Sequence, residues 1–245
     1  GLALMLMSYI IAVKRNYPAG ERVSWKEALS ATKDAALGLF TAVIVVGGVV
    51  TGLYTATESA AIAAVYAFLV SFFVYRHVPL SHMRIILMKS LRTLAIVMAL
   101  IATSSAFGWM LAYLKVPALA TQTLLSISDN KYVILLVLNA LLLFLGCIMD
   151  MAPLILITTP ILLPVATKIG VDPIHFGIIM MLNLSIGLLT PPVGSTLFVG
   201  CAIGNISIEK LSRTMVPFYA TMISVLLLIT YVPQLVMFIP KLLMK

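Results

Sequence analysis

The chain has 245 residues, of which 62% are hydrophobic and only 10% are charged, and its formal net charge is +8. A soluble domain is about half apolar and a quarter charged, so this composition excludes an ordinary soluble protein and predicts an integral membrane protein. Long apolar runs favour helices over a β-barrel. The basic residues fall in short segments between those runs, the pattern of a cytoplasmic membrane face, so we expect a lipid bilayer and no nucleic acid as partner.

The first part of the chain alternates apolar runs with basic segments. Gly1–Val13 is shorter than the roughly 20 residues that cross a bilayer, so it predicts a partial span, the end of a helix whose start is missing. The loop Lys14–Asp34 follows, and its "SWKEALSATKDAA" predicts an amphipathic surface helix. Ala35–Tyr75 is long enough for two spans, with Gly52–Glu58 between or inside them. A second basic stretch holds Arg76, Arg84, Lys89 and Arg92.

The middle of the chain is predicted to cross the membrane once and then to turn back within it or cross twice more. Thr93–Val116 predicts a span, and Pro117–Lys131 predicts a weakly charged loop. Tyr132–Thr167 is generous for one span and tight for two, and "GCIMDMAP" interrupts it near its centre. It is therefore either two short spans or a re-entrant hairpin, and spacing alone leaves both open. The last span is predicted at Val216–Ile239.

The apolar run Ile174–Gly204 is broken by two adjacent prolines. Pro191 and Pro192 remove two backbone donors, so carbonyls about one turn upstream, around Gly187 to Leu189, are expected to lose their partners. In lipid such carbonyls must face protein or a polar cavity, and with the Thr190 hydroxyl they suit a hard cation such as Na⁺. The alternative is an ordinary proline kink that neighbouring helices repair. Glycines that admit a close approach lie at Gly187, Gly194 and Gly200.

Asp150 lies near the middle of its apolar run. A carboxylate at that depth costs about 3 kcal/mol or more and marks an ion or substrate path. The alternative is a structural cap on the helix that begins near Ala152–Pro153, with proline in its first turn. Both can hold, because a cap at a hairpin tip can also line the site.

A weaker candidate is the segment "GLYTATESAA". Thr57 suits a helix N-cap and Glu58 suits a first turn, which is a purely structural interpretation. The functional alternative makes Gly52–Thr55 an unwound segment that faces the hairpin tip, with Gly52 and Thr55 as second-tier site residues.

Three stretches resemble the large membrane subunit of tripartite ATP-independent periplasmic (TRAP) transporters. They are "GLYTATESAAIAAVYAF", "LGCIMDMAPLILITTPILLPVATKIGVDPIHFGIIMMLNLSIGLLTPPVGSTLFVG" and the closing "VPF". The resemblance runs through essentially the whole chain and is to the C-terminal portion of that subunit. It implies an all-α integral membrane protein, the second inverted repeat of an elevator-type transporter with a re-entrant helical hairpin and a broken helix. Residues 1–131 would hold scaffold helices, basic cytoplasmic loops and part of the transport core, residues 132–215 the core hairpin and broken helix, and residues 216–245 a C-terminal span.

The same resemblance implies a multi-pass secondary transporter of the bacterial inner membrane. A periplasmic binding protein would deliver an organic acid, a small membrane subunit would complete the complex, and Na⁺ would be the coupling ion with no other cofactor. Sialic acid, C4-dicarboxylates, other sugar acids and 2-oxo acids all fit as substrates.

The implied site lies where the hairpin tip, near Gly146–Met151, meets the break. Half-helix N-termini bind anions, whereas half-helix C-termini and unwound carbonyls bind Na⁺. The helix that restarts after the prolines is expected to aim the amides of Gly194, Ser195 and Thr196 at a carboxylate. The predicted Na⁺ region comprises Gly187, Thr190 and Asp150. The candidate Na⁺ and substrate residues together are Gly146, Asp150, Gly187, Thr190, Pro191, Pro192, Gly194, Ser195 and Thr196.

Other classes of protein fit less well. An intramembrane enzyme is disfavoured because His77, His82 and His175 stand near loops, and no HExxH motif, Ser/Lys pair or Asp pair shares a common depth. A channel would need a continuous pore, and a structural subunit would not need Asp150 beside a double-proline break. A sodium–dicarboxylate symporter that works without a binding protein is the main alternative.

Overall fold

Helices make up all the regular secondary structure that the computed structural model describes, over residues 1–18, 24–76 and 79–243. The α-helices of these ranges are α1 Leu2–Lys14, α2 Trp25–Val50, α3 Ala56–Leu69, α4 Met83–Tyr113, α5 Val116–Ile127, α6 Lys131–Ile148, α7 Met151–Lys168, α8 Pro173–Gly187, α9 Ser195–Gly204, α10 Ile208–Tyr231 and α11 Gln234–Leu243. A π-helical turn, Val70–Val74, continues α3, and a 3-10 turn, Leu80–His82, precedes α4.

Five helical segments within the described ranges are long and apolar enough to cross a membrane, and the bent helix α2 makes a sixth if its two arms count as one span. The five segments are Ala56–Val74, Leu80–Tyr113, Lys131–Ile148, Met151–Lys168 and Ile208–Tyr231. The prediction of an all-α integral membrane protein is confirmed at this level.

The chain divides into two compact units. The smaller unit is Pro18–Ala95, and the larger unit combines Gly1–Tyr17 with Ile96–Lys245. The helix α4 begins in the smaller unit and ends in the larger one.

In the smaller unit, α2 begins where the amphipathic surface helix was predicted. The Ser24 amide donates to the Glu27 carboxylate at 3.0 Å, which closes the first turn of α2. The helix then bends by 60° between its arms Trp25–Lys33 and Ala35–Val50. The surface helix is therefore not separate from the following span but runs into it. The part of the predicted loop at residues 19–23 lies outside the described residues.

The two predicted spans in Ala35–Tyr75 are separated by the non-helical residues Thr51–Thr55. Gly52 has a φ of +71°, which glycine adopts more readily than other residues. Thr55, rather than the predicted Thr57, caps α3, because its hydroxyl accepts a hydrogen bond from the Glu58 amide at 3.3 Å. The Glu58 carboxylate accepts one in return from the Thr55 amide at 2.8 Å. This reciprocal pair fixes the start of α3 two residues earlier than expected.

Two other boundaries differ from the prediction. The helix α4 begins at Met83 rather than at Thr93, so its first turns carry Arg84, Lys89 and Arg92, and these basic residues do not form a loop. Lysine and arginine are compatible with the end of a membrane-spanning helix, because their long side chains let the charged groups extend to water at the membrane surface. The predicted loop Pro117–Lys131 mostly forms α5, with Pro117 in the first turn, where a missing amide costs nothing. His77 lies outside the described residues.

The helices α6 and α7 form a hairpin within the larger unit. Only Met149 and Asp150 separate them. At the open end, the Lys131 ammonium on the first residue of α6 donates to the Gly170 carbonyl, just after α7, at 3.0 Å. The two arms are therefore antiparallel, and the tip is near the predicted Gly146–Met151.

The broken pair α8 and α9 runs along α10. The His175 ring, near the start of α8, lies 2.9 Å from the Ile229 carbonyl near the end of α10. At the other end, a Cβ on Gly200 of α9 would lie 3.3 Å from the Leu211 side chain near the start of α10. The break between α8 and α9 is therefore level with the centre of α10, and the hairpin tip that contacts the break lies at that level too.

The last span ends earlier than predicted. The helix α10 stops at Tyr231, and Pro233 follows. A proline disfavours helical geometry in the residue before it, and Val232 accordingly has a ψ of 78°. The predicted span Val216–Ile239 is therefore replaced by Ile208–Tyr231 and the separate helix α11.

A chain of buried polar side chains joins α6, α8 and α10. The Asn183 amide donates to the Asn139 carbonyl oxygen at 2.6 Å, and the Asn139 amide donates to the Thr230 hydroxyl at 3.1 Å. All three side chains are buried within an otherwise apolar contact. This trio fixes the register of the three helices, because sliding one helix would leave polar groups unpaired.

Candidate functional site

The break between α8 and α9 leaves fewer free carbonyls than two prolines suggest. The Gly187 carbonyl accepts a hydrogen bond from the Thr190 amide at 2.9 Å, and the Leu188 carbonyl accepts one from the Thr196 amide at 3.2 Å. The Leu189 carbonyl accepts one from a side chain of α10. The expectation that these carbonyls lose their partners is therefore wrong, because turn bonds and a neighbouring helix replace the helical bonds. Each oxygen keeps a second lone pair.

Two predicted glycines bring the hairpin tip against the break. A Cβ on Gly187 would lie 2.5 Å from the carbonyl carbon of Gly146 and 2.6 Å from its Cα. A Cβ on Gly146 would lie 3.3 Å from the Cα of Gly187. The helices α6 and α8 thus cross with their backbones in contact, and the position of Gly187 has no room for a side chain.

Two further bonds hold the break in place. The Val193 amide donates to the Cys147 carbonyl at the hairpin tip at 3.1 Å. The Tyr219 hydroxyl, at the centre of α10, donates to the Leu189 carbonyl at 2.7 Å. The sequence did not predict Cys147, Val193 or Tyr219 as part of the site. A backbone hydrogen bond between distant segments does not depend on particular residue types, so the sequence carries no signal for it. A single tyrosine in an apolar helix is not a signal for a binding site either.

Asp150 occupies the N-cap position of α7 with an extended backbone, but its side chain makes no capping hydrogen bond. Its carboxylate instead accepts a long hydrogen bond, 3.5 Å, from the Ser195 hydroxyl at the start of α9. The capping interpretation thus predicts the position of Asp150 at the start of α7 correctly. The side chain does not cap the helix, however, and faces the break instead. Asp150 and Ser195, both predicted site residues, are thus brought together from separate half-helices.

The amides at the start of α9 are only partly available. The Thr196 amide donates to the Leu188 carbonyl, so it is not free to hold an anion as predicted. The amides of Gly194 and Ser195 have no acceptor among the described residues. The predicted three-amide cradle is therefore reduced to these two, at the positive end of a helix.

Gly194 and Thr190 pack against each other within the break. Gly194 has a φ of +41°, and a Cβ there would lie 3.0 Å from the Thr190 carbonyl and 3.3 Å from the Leu188 carbonyl. The Thr190 hydroxyl donates to the Ile186 carbonyl at 2.7 Å, which leaves its oxygen lone pairs for another partner. The close neighbours of Gly194 are thus carbonyls of the break and the Leu197 side chain of α9, at 3.2 Å, rather than the hairpin tip.

The remaining predicted residues take two locations. Pro191 and Pro192 lie in the segment between α8 and α9. Gly52 and Thr55 belong to the smaller unit, between α2 and α3.

Comparison with known proteins identifies one family. Residues 1–235 match the sequence model described as "Tripartite ATP-independent periplasmic transporter, DctM component". The chain is 43% identical over 241 residues to the uncharacterized protein YgiK of Salmonella typhimurium, covering 98% of this chain and 55% of that protein. It is 39% identical to the sialic acid TRAP transporter large permease protein SiaM of Vibrio cholerae, covering 98% of this chain and 56% of SiaM. It is 37% identical to the C4-dicarboxylate TRAP transporter large permease protein DctM of Pseudomonas aeruginosa, covering 98% of this chain and 56% of DctM.

The chain thus spans about half the length of these curated relatives. The matched part includes the hairpin, the break and the whole of α10, so the geometry described above lies inside the shared region.

We predict that Gly187→Ala separates α6 from α8 and lowers the stability of the purified protein by about 2 kcal/mol or more, as overpacking does in dense interiors. The new Cβ would meet backbone atoms of Gly146, which cannot rotate away. Thermal unfolding in detergent measures the effect. The matched control is Gly177→Ala on the same helix, because a Cβ there meets nothing within 4 Å. Equal melting temperatures for the two variants would contradict the close crossing.

Proposed function

Because the chain belongs to the DctM component family of tripartite ATP-independent periplasmic transporters, we propose that it takes up an organic acid together with Na⁺. It is a multi-pass protein of the bacterial inner membrane, and its relatives are transporter permeases rather than enzymes. The proposal rests above all on one observation: a carboxylate, a hydroxyl and free amides from different half-helices meet at the break, level with the centre of α10.

The charge of Asp150 supports a cation in this place. A carboxylate in the middle of a membrane costs about 3 kcal/mol or more, and a bound cation offsets that cost. The Ser195 hydroxyl and the hydroxyl of Thr190 add oxygen ligands of the kind that hard cations prefer. We therefore assign Na⁺ to the region of Asp150, Thr190 and the Gly187 carbonyl.

The amides of Gly194 and Ser195 support an anion beside that cation. A helix N-terminus favours a carboxylate, but Asp150 lies within 3.5 Å of the Ser195 hydroxyl and repels one. Na⁺ bound at Asp150 removes this repulsion, so each ligand raises the affinity for the other. This mutual effect is sufficient to couple the binding of Na⁺ to the binding of the organic acid.

We further propose that the hairpin is re-entrant and that residues 132–215 form the moving transport core of an elevator-type transporter. Residues 1–131 would supply scaffold helices and part of the core, and residues 216–245 the C-terminal span. The level of the tip supports re-entrance, since the tip meets the break opposite Tyr219 at the centre of α10.

The partners proposed for the complete protein are a small membrane subunit and a periplasmic binding protein. Sialic acid and C4-dicarboxylates are candidate substrates because relatives that carry those names are 39% and 37% identical to this chain. A sodium–dicarboxylate symporter that needs no binding protein is the alternative.

Uptake into proteoliposomes tests the function. The complete large subunit, its small partner and the binding protein are reconstituted, and a panel of labelled organic acids is offered under an inward Na⁺ gradient. We expect uptake of one acid that needs both Na⁺ and the binding protein. Uptake without the binding protein would favour the symporter, and uptake that ignores Na⁺ would reject the coupling.

We predict that cysteines placed at Tyr132 and Thr167, the two outer ends of the hairpin, react with a membrane-impermeant maleimide from the same, periplasmic side. A re-entrant hairpin leaves the membrane where it enters, and two spans joined at mid-chain would do so as well. Cysteine at Met149 separates the two cases. In a re-entrant hairpin it is not labelled from the cytoplasm when the site faces outward, whereas a loop that has crossed the membrane is labelled there at once.

We predict that Asp150→Asn raises the Na⁺ concentration for half-maximal uptake by about tenfold or more, since it removes a charge beside the cation. Asparagine caps helices nearly as well as aspartate, so a purely structural cap would tolerate the change. Uptake measured against Na⁺ concentration decides between these roles. The matched control is Asp172→Asn, at the N-cap of α8 and far from the break, which is expected to leave the Na⁺ dependence unchanged. An unaltered Na⁺ curve for Asp150→Asn would exclude the ion-binding role.

A further inference from the structure

The break exchanges one backbone hydrogen bond for two bonds to other segments. In a continuous helix the Val193 amide would donate to the Leu189 carbonyl, four residues earlier. Here the Val193 amide donates to the Cys147 carbonyl at 3.1 Å, and the Leu189 carbonyl accepts from the Tyr219 hydroxyl at 2.7 Å. Both halves of the lost bond are thus satisfied, one by the hairpin tip and one by α10.

The bond from Tyr219 holds one particular peptide unit. The Leu189 carbonyl and the Thr190 amide belong to the same planar group, and the Thr190 amide donates to the Gly187 carbonyl at 2.9 Å. The group is therefore held at both edges, by α10 on one side and by the end of α8 on the other. Fixing this plane positions the Thr190 Cα, from which the hydroxyl and the carbonyl of Thr190 extend, and the hydroxyl is held in addition by its bond to the Ile186 carbonyl at 2.7 Å.

No other donor in the described ranges reaches the Leu189 carbonyl. The site is partly buried, at the centre of a membrane-spanning helix, where an unpaired carbonyl is costly. Without the Tyr219 hydroxyl, the bond from the Thr190 amide would be the one remaining restraint on this peptide group in the described ranges. The Tyr219 hydroxyl thus fixes the carbonyl edge of the group.

We propose that Tyr219 is a positioning residue for the ion site: its hydroxyl holds the Leu189–Thr190 peptide group so that the oxygens of Thr190 face the cation. The inference rests on the proposed Na⁺ coupling, and it adds a residue of α10, outside the hairpin and the break, to the determinants of ion affinity. Tyr219 touches neither ion nor substrate, so its effect passes through the peptide that it holds.

The test is Tyr219→Phe in the complete transporter, with uptake measured against Na⁺ concentration. Loss of one hydrogen bond to a partly buried carbonyl is expected to raise the half-saturating Na⁺ concentration by about fivefold while changing the maximal rate less. The matched control is Tyr231→Phe on the same helix. Its hydroxyl donates to the Tyr132 carbonyl at 3.3 Å, at the open end of the hairpin and away from the break. The Na⁺ curve of Tyr231→Phe should match the wild type.

Thiol labelling gives a second readout that does not depend on transport. In a Cys201→Ser background, Cys147 at the hairpin tip is the remaining cysteine of these 245 residues, and any cysteine elsewhere in the complete transporter is replaced by serine as well. Its reaction with N-ethylmaleimide is expected to be several times faster in Tyr219→Phe than in Tyr231→Phe, because the break that Cys147 binds is held less firmly.

Each outcome has a definite meaning. An unchanged Na⁺ curve with unchanged labelling, or a loss of inserted protein without a shift in the Na⁺ curve, would overturn the positioning role. If the wild type itself showed no Na⁺ dependence, the proposed coupling would fail, and faster labelling of Cys147 would then still establish the bond from Tyr219 to the break.

Discussion

The contact between the backbones of Gly146 and Gly187 is the constraint on which the rest of the larger unit depends. It lets the end of α6 touch the end of α8, and so brings the hairpin tip to the level of the broken helix. Only at this distance does the Val193 amide reach the Cys147 carbonyl and the Ser195 hydroxyl approach Asp150. A methyl group between the two helices would move the hairpin tip away from the break and separate both of these pairs.

The membrane explains why so many partners meet there. A broken helix exposes peptide groups that lipid cannot satisfy, so each must find a partner within the protein. The partners come from the turn itself, from the hairpin tip and from α10. Within the described residues, the amides of Gly194 and Ser195 and the carbonyls of Thr190, Pro191 and Pro192 have no such partner. These unpaired groups lie in the break, where solutes of both charges are proposed to bind.

The sequence predicted the features that depend on local chemistry. Two prolines mark the break, the interruption around Asp150 marks the hairpin tip, and Gly187 is one of the glycines expected to admit a close approach. It failed where the outcome depends on distant segments. The Leu189 carbonyl accepts a hydrogen bond from α10, and the Thr196 amide donates to the Leu188 carbonyl. The helix boundaries at Met83 and Tyr231 were also missed, because charge and hydropathy locate a bilayer boundary and not the end of a helix.

The buried trio of Asn139, Asn183 and Thr230 has a consequence for how this protein can change over evolution. Loss of any one member leaves its neighbour with an unpaired polar group among apolar side chains, whereas replacement of the whole set by apolar residues of similar shape costs little. The side-chain oxygen of Asn183 already has no hydrogen-bond partner among the described residues. The residues at these three positions, on α6, α8 and α10, should therefore change together during evolution. Related sequences are then expected to differ at all three positions or at none.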